Sequence, residues 1–269
     1  MIIIKSINKL EKEVNFKANI GFVPTMGALH KGHLSLIESS KKKCQKTLVS
    51  IFVNPSQFNR KNDYKKYPKN ISKDIKILKK AKIDYVFIPQ KNEIFKTKKE
   101  MKIKISSKDK ILCGKFRVGH FEGVLGVINQ LLKIIKAKYM FLGEKDYQQV
   151  YLIKKFIKNK FSTKVVKCKT IRDRNSLPYS SRNFLLKKSS FFKASEVSNK
   201  IKKFKYLVKK NFKNINKLKK IKKDITKSGI DIEYLEIRNK FNFTNNINKK
   251  NFKIFIAYYI NNVRLIDNY

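Results

Sequence analysis

Through the first two thirds of the chain, short runs of consecutive apolar residues alternate with stretches in which apolar residues recur every three or four positions. The runs are IGFVP (20–24), TLVSIFVN (47–54), DYVFIP (84–89), KYMFLG (138–143) and TKVVKCKTI (163–171). Their shortness and their Val, Ile, Phe and Tyr content predict strands buried on both faces. HLSLIESSKKK follows the first run, ISKDIKILKKA lies after the second, and GVLGVINQLLKIIKA precedes the fourth. Their spacing predicts helices with one apolar face. This alternation predicts a parallel sheet covered on both sides. Right-handed crossovers make it a doubly wound, Rossmann-like α/β domain.

The texture changes near residue 171. Residues 186–228 are dense in lysine and helical in period, as in IKKFKYLVKKNF. IEYLEIRN (232–239) and NFKIFIAYYINNVRLI (251–266) then alternate like strands of a small separate sheet. The expectation is a Rossmann-like domain over 1–171 and a smaller C-terminal α+β domain over 172–269 acting as a lid. All glycines except Gly229, and all prolines except Pro178, precede residue 150, so sharp loops belong mainly to the first domain. Lysine enrichment apart, no internal repeat is visible.

Composition narrows the class. A chain of 269 residues with 42% hydrophobic content can build a real core. No apolar run approaches the ~18 residues that span a membrane. The opening MIIIKSINKL is too short in apolar residues for a signal peptide. Cys44, Cys113 and Cys168 are scattered and odd in number, which argues against a disulfide framework or zinc site and fits a reducing compartment. A cytoplasmic protein is expected. The net charge of +46 would attract polyanions. Yet the lysines spread along nearly the whole chain beside Ile, Asn, Phe and Tyr, all encoded by A/T-rich codons. Mutational bias explains that mixture, and no specific nucleic-acid partner is expected.

Five stretches carry chemistry. In PTMGALHKGHLSLI (24–37) a strand runs into a glycine turn, and a helix begins near Gly32 and His33. A parallel sheet places ligands there, where unpaired amides and the helix dipole favour phosphate. Gly27 and Gly32 would admit a nucleotide close to the backbone, with His30 and His33 facing its phosphates as donors. An H-x-x-H pair is otherwise a helix surface or part of a metal site, but zinc needs further ligands. In SIFVNPSQFN (50–59), Asn54 and Gln57 follow the second strand; their amides suit a hydroxylated small acid, although Asn-Pro alone makes a good turn. GKFRVGHFEGVLGVINQ (114–130) sets Arg117 and His120 in a glycine-rich turn, where Arg117 could hold a carboxylate or phosphate.

FLGEKDYQQV (141–150) again follows a strand: Lys145 could reach a triphosphate, Asp146 a ribose hydroxyl, and Gln149 a small polar substrate. IRDRNSLPYSSRNFLL (171–186) places Ser180, Ser181 and Arg182 on one loop, suited to phosphate oxygens, with the second domain able to swing over. Serine pairs are elsewhere ordinary turns and caps. Each of the three histidines falls in one of these loops.

Together with the terminal RLIDN, these stretches resemble the pantothenate synthetase (pantoate–β-alanine ligase) family of the HxGH nucleotidyl transferases, in order and over essentially the whole chain. The resemblance implies two steps. ATP, with Mg2+, and (R)-pantoate give pantoyl adenylate; β-alanine then yields pantothenate and AMP. It implies ATP along Met26, Gly27, Ala28, Leu29, His30, Lys31, Gly32 and His33, with His33 the proton donor and His30 beside it. It puts Gln57 on pantoate and β-alanine, Gln149 on pantoate, and nucleotide along Gly143, Glu144, Lys145 and Asp146. Adenine falls on the Ile171 backbone, and Tyr179, Ser180, Ser181 and Arg182 replace the KMSKS-type loop of related synthetases. It also implies a homodimer formed through the first domain. Two departures stand out: Val118 replaces a usual proline, and Asn175-Ser176-Leu177-Pro178 replaces a usual Asp-Gly-Leu-Ala. The rival readings are an adenylyltransferase with a phosphate acceptor and a basic nucleic-acid-binding protein without catalysis.

Overall fold

Parallel strands need both faces covered, and the apolar runs of the first two thirds become such strands. The computed structural model describes residues 1–59, 61–97, 100 and 103–269. They divide into two compact units, Met1–Ile171 and Arg172–Tyr269. The first holds β1 (Ile2–Ile4), β2 (Ile20–Thr25), β3 (Lys46–Ile51), β4 (Tyr85–Phe87), β5 (Tyr139–Gly143) and β6 (Lys164–Cys168). The sheet runs β1-β4-β3-β2-β5-β6 with every pairing parallel. Val23, Val49, Val86 and Phe141 are wholly buried at its centre.

The helices between them are α1 (Ile7–Glu13), α2 (Lys31–Lys43), α3 (Lys61–Lys66), α4 (Ile71–Lys80), α5 (Lys91–Ile94), α6 (Cys113–Phe116), α7 (His120–Ile134) and α8 (Tyr147–Ile157). From β2 the chain steps outward through β3 and β4, then returns to place β5 on β2's other side. The reversal makes the carboxyl ends of β2 and β5 the topological switch point, where doubly wound sheets bind ligands. Several elements were not expected from the sequence, among them β1, only three residues long, the helix after it, and α8.

In the second unit, α9 (Lys188–Lys210) and α10 (Leu218–Thr226) accompany an antiparallel sheet of β7 (Asp231–Asn239), β8 (Phe252–Ile260) and β9 (Val263–Asn268). Helix α9 buries Ala194, Val197, Ile201, Phe204 and Val208, a stripe at alternating three- and four-residue spacing. Burying each large member contributes about 1.5–3 kcal/mol. The apolar stretch 251–266 resolves into two strands because Asn261 and Asn262 take φ of 47° and 64°, the left-handed pair a two-residue hairpin turn requires. Among the described residues no helix is long and apolar enough to cross a membrane.

Candidate active site

The loop from β2 to α2 is shaped from below. The Thr25 hydroxyl donates to the Ser50 carbonyl at 2.7 Å and accepts from the Gly27 amide at 3.1 Å. Gly27 and Ala28 then take φ of 75° and 50°, turning two successive amides downward. The Ala28 and Leu29 amides donate to the two oxygens of Asp74 on α4, at 2.9 and 2.8 Å. Asp74 is 2% exposed; burial raises its pKa, and those two bonds oppose the rise.

Both histidines of this stretch then cap α2. His30 is its N-cap: its Nδ1 accepts from the Gly32 amide at 3.1 Å, while the His33 Nδ1 accepts from the His30 amide at 3.3 Å. The rings stand 4.0 Å apart. Since a backbone N–H only donates, both Nδ1 atoms are bare and each ring carries its proton on Nε2. Burial, then the neighbouring His33 and Lys145, lowers the His30 pKa to about 2. Burial lowers that of His33 to about 4, against the pull of Asp146. Both rings are therefore neutral donors at neutral pH. No acceptor meets the His33 Nε2–H among the described residues.

The sequence suggested that unpaired amides here would cradle phosphate, and the structure corrects this. The amides of Gly27, Ala28, Leu29, His30, Gly32 and His33 all donate to protein acceptors. What this turn presents is the His33 imidazole N–H and the helix dipole, undiminished by any acid in the first turn of α2.

The second contribution to the switch point comes from β5. Gly143 ends the strand, a single turn covers Glu144–Asp146, and Lys145 Nζ lies 3.1 Å from Asp146 Oδ1. The Lys145 charge acts on both histidines, which brings the loops after β2 and β5 together. Gln149 follows, half-buried, in the first turn of α8.

Gln57 belongs to a third loop, a single turn over Pro55–Gln57 packed so closely on α7 that a Cβ at Gly123 would lie 2.3 Å from the Ser56 carbonyl oxygen. Asn54, Arg117 and His120, expected on substrate, also hold that turn. Asn54 is wholly buried; its amide donates to the Gly123 carbonyl and accepts from the Ser56 amide and hydroxyl. His120 Nδ1 lies 2.7 Å from the Gln57 carbonyl, and Arg117 Nη1 lies 2.7 Å from His120 Nε2. A guanidinium only donates, so His120 carries its proton on Nδ1. Asp63 approaches Arg117 at 3.9 Å. The Gln57 side-chain amide makes no hydrogen bond among the described residues.

In the second unit, Asp173 builds the turn before the serine pair. Its Oδ1 accepts from the Asn175 and Leu177 amides, both at 2.9 Å, and Arg172 donates to the Ser176 carbonyl at 3.0 Å. Ser176 takes φ of 71°, so serine adopts the left-handed backbone where the family usually has glycine. Arg172 is gripped by both oxygens of Asp267 at 2.7 and 2.8 Å and stacks on Tyr269. This explains why both ends of the unit carry recognisable motifs. Ser180 caps a turn over Ser181–Leu185 by accepting from the Arg182 amide; Tyr179 and Arg182 are half-buried and Ser181 is buried.

Two of the three histidines lie in helical first turns, not in loops: His33 in α2 and His120 at the start of α7. The structure groups residues 26–33 with 143–146 at the switch point, and Arg117 and His120 beneath Gln57. Ile171 ends the first unit, 36% exposed. Sequence reasoning passed over Asp74. Its signal was weak: a lone carboxylate among lysines, one turn before the buried Leu78.

A histidine-capped helix and a lysine loop meet where a doubly wound sheet binds its ligands. Comparison with known proteins narrows the class. The model of the pantoate-β-alanine ligase family matches residues 2–269, and the chain belongs to that family. The pantothenate synthetase of Francisella tularensis subsp. mediasiatica (strain FSC147) is 41% identical over 99% of this chain and 95% of its own length. A crystal structure of pantoate-β-alanine ligase from Francisella tularensis, complexed with β-γ ATP and β-alanine, superposes with a TM-score of 0.87 at 37% identity, covering 100% of this chain and 97% of that one. The pantothenate synthetase of Thermus thermophilus superposes with a TM-score of 0.91 at 26% identity, covering 100% of this chain and 99% of its own.

Proposed function

We propose that this chain condenses (R)-pantoate with β-alanine, cleaving ATP to AMP and pyrophosphate, by way of an enzyme-bound pantoyl adenylate. The observation that carries this reading is the meeting of His30, His33 and Lys145 at the carboxyl ends of β2 and β5 in a chain of this family. In the first step a pantoate carboxylate oxygen attacks the α-phosphorus and pyrophosphate leaves. Charge grows on phosphate oxygens that are already anionic, so the site needs donors in place beforehand. His33, flanked by His30, supplies a neutral Nε2–H, and Lys145 a cation. The proton-donor role implied for His33 thus becomes hydrogen-bond donation, since an imidazolium is not its resting form.

In the second step the β-alanine amine attacks the acyl carbon and AMP leaves with the C–O bond pair. Gln57, its backbone fixed by Arg117 and His120, presents its amide to pantoate and β-alanine, and Gln149 contacts pantoate. Asp146 takes a ribose hydroxyl and Ile171 meets adenine through its backbone. Tyr179, Ser180, Ser181 and Arg182 are the phosphate-gripping groups of the second unit. Magnesium arrives on the nucleotide as MgATP; among the described residues no three or more His, Cys, Asp or Glu side chains gather as a metal-holding cluster. The working form is a cytoplasmic homodimer.

The test is AMP release from ATP with pantoate, with and without β-alanine. Sustained AMP formation requiring both substrates is expected. AMP transfer to a phosphate acceptor with no β-alanine requirement, or no turnover beside strong RNA binding, would replace the ligase reading with one of its rivals.

A further inference from the structure

We infer that Asp74 is a positioning residue for adenylation: from α4 it holds the turn at 27–29 in the shape that presents His30 and His33 to the nucleotide. The inference rests on the ligase reading and adds a residue outside its motifs.

Three observations carry it. The carboxylate accepts two successive backbone amides, Ala28 and Leu29, one on each oxygen. Such a bidentate grip fixes a turn's orientation as well as its place. The gripped turn is also strained. Ala28 holds φ of 50°, a left-handed conformation that L residues avoid and that persists only where surroundings over-determine it. Finally, the approach is close enough to dictate residue type: a Cβ on Gly27 would lie 2.8 Å from Asp74 Oδ2. One residue past this turn stands His30, the N-cap of α2, so any relaxation of the turn moves the first of the paired rings.

A buried carboxylate is costly to desolvate, and the bonds compensating Asp74 come from this turn. An apolar side chain could fill the same space for stability alone; it could not orient two amides. Asp74 also lines a cavity of about 310 Å³ shared with Met26 and Gly27, so the turn has room to relax if released.

The test separates the two half-reactions. Asp74→Asn keeps the size but sets an NH2 group against one backbone donor. Its pantoyl-adenylate burst should slow by about 30-fold or more, as misplacement of reacting groups typically causes. Its conversion of separately supplied pantoyl adenylate and β-alanine should stay within about threefold of the unmodified chain, since that step needs no donor at the α-phosphate. Adding Ala28→Gly, which removes the strain Asp74 opposes, should recover about fivefold of the burst in the variant. Equal loss in both half-reactions, an unchanged burst, or no recovery on adding Ala28→Gly overturns the assignment. Should Asp74→Asn not fold, Gly27→Ala crowds the same carboxylate: the same selective loss supports the assignment, and equal rates in both half-reactions overturn it. No burst in the unmodified chain would overturn the ligase reading, and this inference with it.

Discussion

The helix starts at α2 and α7 each carry histidine beside a left-handed glycine turn, Gly27 in one case and Gly119 in the other, and they are wired in opposite senses. At α2 the nearest partners are backbone N–H groups. They take up Nδ1 and leave the proton of each ring on Nε2. At α7 the nearest partners are a carbonyl and a guanidinium, which occupy both nitrogens of His120. The same side chain thus keeps its proton on Nε2 in one place, and in the other carries it on Nδ1 as a strut. What decides is which ring nitrogen the adjoining protein groups take up. Under the proposed function the histidine pair donates to the nucleotide, whereas His120 holds the Gln57 turn.

The sharpest way to break the comparison is at the strut. Arg117→Ala strips the donor from the buried His120 Nε2 and should destabilise the first unit by about 3 kcal/mol, read as a shift in urea midpoint with unchanged slope. A shift below about 0.5 kcal/mol, the range of an ordinary surface change, would deny the strut. At the donor pair the signature inverts. His33→Ala should slow the pantoyl-adenylate burst by about 100-fold, or about 2.7 kcal/mol of transition-state stabilisation, with an intact cooperative melt. A near-normal burst rejects the donor role.

Acidity sharpens the same contrast. Burial lowers the pKa of His33 from the ordinary 6.5 to about 4 and that of His30 to about 2. Between those values and 6.5 the unfolded chain binds protons that the folded chain refuses. The stability held above pH 6.5 should therefore drain away as pH falls from 6.5 towards 4, and His33→Gln should flatten part of that slope in thermal melts. The smallest effect expected is at Ser176. Ser176→Gly relieves a left-handed backbone, φ of 71°, and should raise stability by about 0.5–1 kcal/mol. A loss would mean that the serine side chain contributes more than its backbone strain removes.

What could be read from the chain was whatever is written locally. Consecutive apolar residues located β2 to β6, and the glycine turns with their histidines marked the loops at the switch point. What could not be read depends on partners distant along the chain. β1 is three residues whose strand identity comes from pairing Ile2, Ile3 and Ile4 with Tyr85, Val86 and Phe87. Asp74 looks like one more charge in a lysine-rich helix until the fold sets Ala28 and Leu29 above it. Arg117, His120 and Asn54 have the right chemistry for a substrate, but residue type cannot reveal that they also hold a neighbouring turn. Asp173, which caps residues two and four places ahead, forms the kind of local turn that sequence does signal.

The most direct test of this wiring is the nitrogen spectrum of 15N-histidine-labelled protein followed from pH 7.5 downward. His30 and His33 should show the neutral tautomer protonated on Nε2, with His33 beginning to titrate only towards pH 4, while His120 shows the opposite tautomer, protonated on Nδ1. An imidazolium at His33 near neutral pH, or a proton on Nδ1 of either α2 histidine, would contradict the account.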